Sequence, residues 1–171
     1  MTIPLPLTDD QLVSELWARD VRFLMGEQLT PEPVLDPSHL IASLAQSDNA
    51  RVRMALIPLF LRHPEFSEEV ERAENLISSQ DDLRYLHFYY TAARLLQEQY
   101  WQQIKRFLID PPKLQDLFSG KLGISLHKHP GVALKQLAEH HKISSGQKIN
   151  WLGTYNHGAD VWLKVMELQK A

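Results

Sequence analysis

The chain has 171 residues, 44% of them apolar and 23% charged, with a formal charge of −3 and no cysteine. At this length roughly two thirds of the unfolded surface can be buried, so one domain spanning 1–171 is expected. The composition excludes a disulfide scaffold, and no window approaches the roughly 18 consecutive apolar residues that a membrane span requires.

The opening Met1-Thr2-Ile3-Pro4-Leu5-Pro6-Leu7 has neither the basic region nor the apolar run of a secretory signal, so a cytoplasmic setting is expected. Thr8-Asp9-Asp10-Gln11 is a capping box, because the Thr8 hydroxyl and the Gln11 side chain can each satisfy a free backbone N–H at a helix start. A first helix is predicted from there to about Gly26. Pro31, Pro33 and Pro37 mark an extended connection, with Asp36-Pro37 as the cap and first turn of helix two, and Asp48 is the expected cap of helix three. Pro58 falls inside that third helix, where the missing N–H predicts a kink; Pro64 follows its end.

A shorter helix is expected from Ser67 to Ile77. Ser79-Gln80-Asp81-Asp82 then opens the longest periodic segment, which runs to Ile109 before Asp110-Pro111-Pro112 stops it. At 1.5 Å per residue this rod spans roughly 40 Å and is the expected spine of the domain. Its apolar arc contains Leu83, Leu86, Tyr90, Ala93, Leu96, Tyr100, Ile104 and Leu108 at three- and four-residue steps. Further helices are predicted at Lys113–Ser119, Val132–Lys142 and Trp151–Gln169, the last interrupted at Gly153 or Gly158; 122–126 has a short strand-like pattern. The fold class is therefore all-α, a single-domain bundle of about 6–8 helices around one long central helix, with a less regular, basic part from about residue 121.

Charge is unevenly placed. Residues 1–120 hold 11 Lys and Arg against 18 Asp and Glu, whereas 121–171 hold 7 against 3. Nine of the first eleven cations are arginines and all seven of the second group are lysines, so structured ion pairs are expected in the first segment.

Residues 40–62 contain Leu40-Ile41-x-x-Leu44-Ala45, the turn Ser47-Asp48-Asn49-Ala50, and Arg51-Val52-Arg53-Met54-Ala55-Leu56 running on to Leu61. This hairpin resembles a single HEAT repeat, whose second helix opens with an Asp, then Val-Arg and an alanine one turn on. No second copy follows at solenoid spacing. The resemblance implies a scaffold for protein binding.

Several constellations could carry chemistry. Asp9-Asp10, Glu68-Glu69 and Asp81-Asp82 pair carboxylates, but each lies in a predicted first helical turn, where the helix dipole favours negative charge. Five of the eight histidines, His127, His129, His140, His141 and His157, fall in one stretch without a recognised metal-ligand spacing. The sequence implies no metal and no other cofactor. Helical projection places Asp20, His63, Gln97 and His141 among apolar neighbours, so each requires a partner. Arg53 and His63 are candidate partners of Asp20. Two readings remain open at this point: a satisfied core network, or a pocket in which Asp20 and His63 form an acid–base pair of a small helical enzyme.

Lys121, Lys128, Lys135 and Lys142 recur every seven residues. Helix breakers leave only Lys135 and Lys142 on a shared face, as candidate nucleic-acid contacts of a toxin–antitoxin type accessory protein, with Trp151 and Tyr155 able to stack bases. On the spine's other side Phe88, Ala92 and Leu95 form a second apolar stripe beside Tyr85, flanked by Arg84 and Arg106. If that stripe is exposed it has the composition of an interface core. The resulting expectation is a non-catalytic accessory or adaptor protein that contacts a protein partner or a second copy of itself.

Overall fold

The computed structural model describes residues 7–24, 32–126 and 129–170. Gly26, Pro31, His127 and Lys128, on which sequence expectations fell, lie outside the described residues. Among the described residues all regular structure is helical: α1 (Asp9–Ala18), α2 (Pro37–Ala45), α3 (Ala50–Met54), α4 (Leu56–Arg62), a 3-10 segment (Pro64–Glu69), α5 (Val70–Asn75), α6 (Gln80–Gln99), α7 (Trp101–Phe107), α8 (Ser119–Leu122), α9 (Pro130–Ser145) and α10 (Trp151–Lys170). Among the described residues no helix is long and apolar enough to cross a membrane.

Local chemistry sets the helix ends. At α1 the Thr8 N–H donates to Gln11 Oε1 at 2.8 Å while the Gln11 N–H donates to Thr8 Oγ1 at 3.2 Å, completing the capping box. Asp36 and Ser79 cap α2 and α6 through the His39 and Asp82 N–H groups. Asn49, not Asp48, caps α3, its side chain accepting from the Arg51 N–H. The kink expected at Pro58 occurs as a break at Ala55. Pro58 is thereby the third residue of α4, in a first turn that needs no N–H, and its ring is spared a clash with a helical Met54 carbonyl.

Helix one ends well before position 26. The Asp20 N–H donates to the Trp17 carbonyl and the Val21 N–H to the Leu16 carbonyl, with Asp20 in the left-handed region at φ 62. This is a Schellman ending, with the apolar residues at its two ends, Leu16 and Val21, both fully buried. The spine is also shorter than expected. It bends at Tyr100, which separates α6 from α7, and α7 turns to pack on α10, where the Tyr100 hydroxyl donates to Asp160 Oδ1 at 3.3 Å. Residues 113–118 are not helical, a short helix starting only at Ser119; 122–126 is not a strand, and the helix expected over 67–77 begins as the 3-10 segment.

The stretch from 121 is more regular than expected, since α9 has 16 residues and α10 has 20. Gly153 and Gly158 do not interrupt α10. A helical glycine costs only about 1 kcal/mol relative to alanine, and at position 158 a Cβ would stand 3.2 Å from Ile57 Cγ2, so its absence lets α10 lie close on α4.

One apolar cluster runs from Leu12 to Met166. Its centre is α6, packed by α4, α9, α10 and α2. Tyr90 meets Phe60 of α4 edge-to-face at 4.9 Å, Phe88 stacks on His141 of α9 at 4.2 Å, and Tyr89 meets Tyr155 of α10 at 6.2 Å. Of the inner arc, Leu86, Tyr90, Ala93, Leu96 and Ile104 are buried as expected, while Leu83, Tyr100 and Leu108 are half-buried. The second stripe is buried too: Phe88, Ala92 and Leu95 are covered by the protein's own helices, not displayed to a partner. A helix apolar on two faces is sandwiched here because α9 and α10 follow it in the chain and close over its far side.

Irregular segments are held by polar side chains reaching out of helices. Gln97 accepts from the Leu114 N–H at 2.8 Å and donates to the Pro112 carbonyl at 3.0 Å, and Tyr90 donates to the Gln115 carbonyl at 2.8 Å. Buried backbone groups outside helices require such partners. Gln97→Leu leaves the Leu114 N–H without one and is expected to cost about 1–3 kcal/mol in urea denaturation, with an unchanged m-value.

Candidate functional site

The inward-pointing polar residues do not form one pocket. Asp20, displaced from the apolar arc by the early end of α1, has a side chain 39% exposed and pairs with Arg22 (3.4 Å) and Arg62 (3.5 Å). Neither expected partner, Arg53 nor His63, is used. His63 donates from Nε2 to the Arg19 carbonyl at 2.7 Å, meets Glu65 through Nδ1 at 2.9 Å and stacks on Phe66. Asp20 and His63 therefore serve separate structural bonds. Gln97 holds the 112–114 segment. Each acts as a clamp on neighbouring backbone or in an ion pair; Asp20, with its side chain 39% exposed, lies outside the core.

A further clamp carries no expectation from the sequence. Glu15 and Arg19, one turn apart on α1, form an ion pair at 2.7 Å with both side chains 7% exposed. Glu15 accepts from the Val34 and Leu35 N–H groups at 2.9 and 3.1 Å, and Arg19 donates to the Leu35 carbonyl. The available signal was an i,i+4 Glu–Arg spacing beside Leu12 and Leu16.

His141 has the most distinctive environment. Only 2% exposed, its imidazole is stacked between Trp151 (3.6 Å, 15°) and Phe88 (4.2 Å, 5°), with Tyr85 and Tyr89 edge-on. Burial pushes its pKa from 6.5 down to about 3, and burial likewise raises the Tyr155 phenol well above its ordinary 10. Both rings are neutral. Tyr155 has no second acceptor among the described residues, so it donates its hydroxyl proton to His141 Nδ1 at 2.6 Å. Trp151 and Tyr155 are thus committed to the core and are not free to stack bases.

Above this cage lies a groove of about 550 Å³ between α6, α8 and α9. One wall is the α6 ladder Gln80, Leu83, Arg84, His87 and Phe88; the other is His140, Ile143 and Ser144 of α9, with Lys121 and Leu122 of α8 closing the end. These spacings of three and four residues are single helix faces. Among the described residues no carboxylate lines the groove, although Asp81 and Glu74 bond Arg84 and His87 from beside it. Arg84 Nη1 bonds the Ser144 carbonyl at 3.3 Å and Asp81 at 3.2 Å, a bar separating the groove from a cavity of about 120 Å³ that Tyr85 and His141 help to line. His87 donates toward Glu74 at 2.9 Å; burial lowers its pKa, Glu74 opposes that, and Lys121 adds to it, which places the Lys121 charge near the groove. Ile143 on the rim is 78% exposed.

Of the expected partner-binding set, Arg84 and Phe88 meet in this groove and Tyr85 borders it, under the Arg53 guanidinium at 4.2 Å. Ala92 and Leu95 are core. Arg106 lies apart at the end of α7, where its carbonyl accepts from Lys170 Nζ at 2.8 Å. Lys135 and Lys142 are exposed on α9, yet Glu139 stands between them at i+4 and i−3 spacing, which breaks any basic ridge. Among the described residues no three histidine or carboxylate side chains gather as a metal site. Compared with models of protein families, with curated proteins and with solved structures, the chain matches none.

Proposed function

We propose that this chain is a non-catalytic accessory protein of the cytoplasm that acts through contact with a protein partner, and that the α6–α9 groove is the contact surface. The observation that carries this is the groove itself: two ladders of side chains on α6 and α9, the half-buried Leu83 and Leu122 between them, and a large aliphatic residue, Ile143, left exposed on the rim. Concave apolar floors with a polar rim and a projecting anchor are the composition of recognition sites. The resemblance of residues 40–62 to one HEAT repeat supports the same reading, since such hairpins serve as scaffolds.

The test is site-specific photocrosslinking in cells, with the crosslinker placed at Ile143 and, for comparison, at the exposed Leu168 near the end of α10. A discrete protein adduct is expected at 143 and not at 168. Equal labelling at both positions, or no adduct at 143, overturns the assignment.

A further inference from the structure

We infer that the end of the molecule built from α7, the turn after it and the last turns of α10 is a contact surface for an anionic membrane. Ile109 and Leu168 enter the bilayer interface there, and the surrounding lysine and arginine side chains meet anionic lipid headgroups. This surface shares no lining residue with the α6–α9 groove and stands independently of the protein-contact reading above.

Charge is the first observation. Residues 101–113 and 164–170 carry Lys105, Arg106, Lys113, Lys164 and Lys170 against Asp110 and Glu167, in a chain whose formal charge is −3. All five cations are exposed, and among the described residues none of them forms an ion pair, whereas Arg19, Arg22, Arg62, Arg72, Arg84 and Arg94 each face a carboxylate. Four of the five are held instead by groups that leave their charge intact. Lys105 and Lys113 stand over the Trp101 ring at 6.0 and 5.2 Å, and Arg106 and Lys170 over Phe107 at 6.0 and 5.7 Å. Lys170 Nζ also donates to the Arg106 carbonyl, which ties the end of α10 to α7. Glu167 shares a hollow of about 320 Å³ with Arg106, Phe107 and Lys170 without pairing with either cation.

The second observation is what stands among these cations. Ile109 is 96% exposed, at a turn where Asp110 lies in the left-handed region at φ 43 and whose far side is fixed by the Gln97 bonds to Pro112 and Leu114. Leu168, 76% exposed, lies two residues before Lys170. Large aliphatic side chains left in water beside unpaired cations, with Trp and Phe rings under those cations, have the composition of an interfacial anchor. The apolar tips gain by leaving water, and the cations are drawn to the negative surface of the leaflet.

A nucleic acid fits less well, because it would use the cations and Trp101 but leave Ile109 and Leu168 in water. A folded acidic partner would need a pocket matched to the projecting turn, whereas a bilayer receives a projecting residue without one.

The experiment is flotation of the full chain with vesicles of phosphatidylcholine alone or of phosphatidylcholine mixed with phosphatidylserine. Flotation is expected with the phosphatidylserine vesicles only, declining as salt rises. Because the chain has no cysteine, Ile109→Cys and Leu76→Cys each give a single site for an environment-sensitive fluorophore. Leu76 is exposed just before α6, whose 20 residues place its start about 30 Å from α7. A blue shift on adding the anionic vesicles is expected at 109 and not at 76. Lys105→Glu and Ile109→Asp, both at exposed positions, are each expected to weaken vesicle binding about tenfold. Lys148→Glu makes the same charge change ahead of α10, at the opposite end of that helix from Lys170, and is expected to leave binding unaltered. Equal flotation with both vesicles, flotation with neither, an equal shift at 76, or indifference to Lys105→Glu overturns the inference. Binding of a single-stranded oligonucleotide that is lost in Lys105→Glu but kept in Ile109→Asp, without flotation, would make nucleic acid the occupant instead.

Discussion

Glu15→Ala is expected to lower the free energy of unfolding by about 3–5 kcal/mol, more than any other single change to a polar residue considered above. The substitution leaves Arg19 charged and buried with no carboxylate to face it, and removes the acceptor of the Val34 and Leu35 N–H groups. A loss of this size is a large share of the total stability of a domain, so the variant should unfold at much lower urea concentration. The double variant Glu15→Leu, Arg19→Met removes both charges together and should recover much of the loss, because desolvating a buried pair offsets most of its attraction. If Glu15→Ala shifts the urea midpoint by less than the equivalent of about 1 kcal/mol, the pair is not the clamp described.

Acid should destabilise the protein through His141. The folded-state pKa, about 3, lies below the ordinary 6.5, so the unfolded chain takes up the proton first. Stability from this group is complete above pH 6.5 and falls as pH drops toward 3, by about 1.4 kcal/mol for each pH unit inside that window. His87, also lowered by burial, acts in the same direction. Asp36 belongs to a lower window: burial alone would raise it, but the His39 N–H, the Ser38 hydroxyl and the His39 ring bring it to about 2, and its contribution is lost only as pH falls from 3.8 toward that value. Urea denaturation at several pH values between 7 and 4 should therefore show a slope that flattens in the double variant His141→Leu, Tyr155→Phe. That variant removes the titrating ring and its hydroxyl donor together, leaving no polar group stranded. An unchanged slope would mean that His141 does not titrate in the window.

Much of the helical framework was legible residue by residue. Thr8-Asp9-Asp10-Gln11, Asp36-Pro37 and Ser79 each announced a helix start that the structure contains, because a cap is a bond between a side chain and a backbone N–H two or three positions away. Leu86, Tyr90, Ala93 and Leu96 are buried as their spacing required. The errors have a common cause. Reading Asp20 as buried assumed that α1 continues, and the Schellman turn at Leu16–Val21 shifts everything beyond it out of phase. Reading residues 79–109 as one rod assumed that periodicity alone keeps a helix continuous, while α6 ends at Gln99 and α7 packs on the distant α10.

The candidate site was less legible than the fold. Arg84 and Phe88 were noted for their place on one helix, but their meaning depends on Lys121, His140 and Ile143, which reach them from two other elements. Likewise Trp151 and Tyr155 carry the composition of a stacking surface, and only the fold shows that the ring they stack on is His141.

What the order of residues determined unaided is the all-α class, the positions of most helix starts and the inner face of α6, since these follow from hydrogen bonds and side-chain spacings within about four residues. What the tertiary structure decided is which faces are covered, which charges meet and where a groove remains, including the burial of Phe88, Ala92 and Leu95. Those depend on which distant segments come into contact, and apolar surface attracts without direction, so periodicity marks a face as buried without saying what buries it.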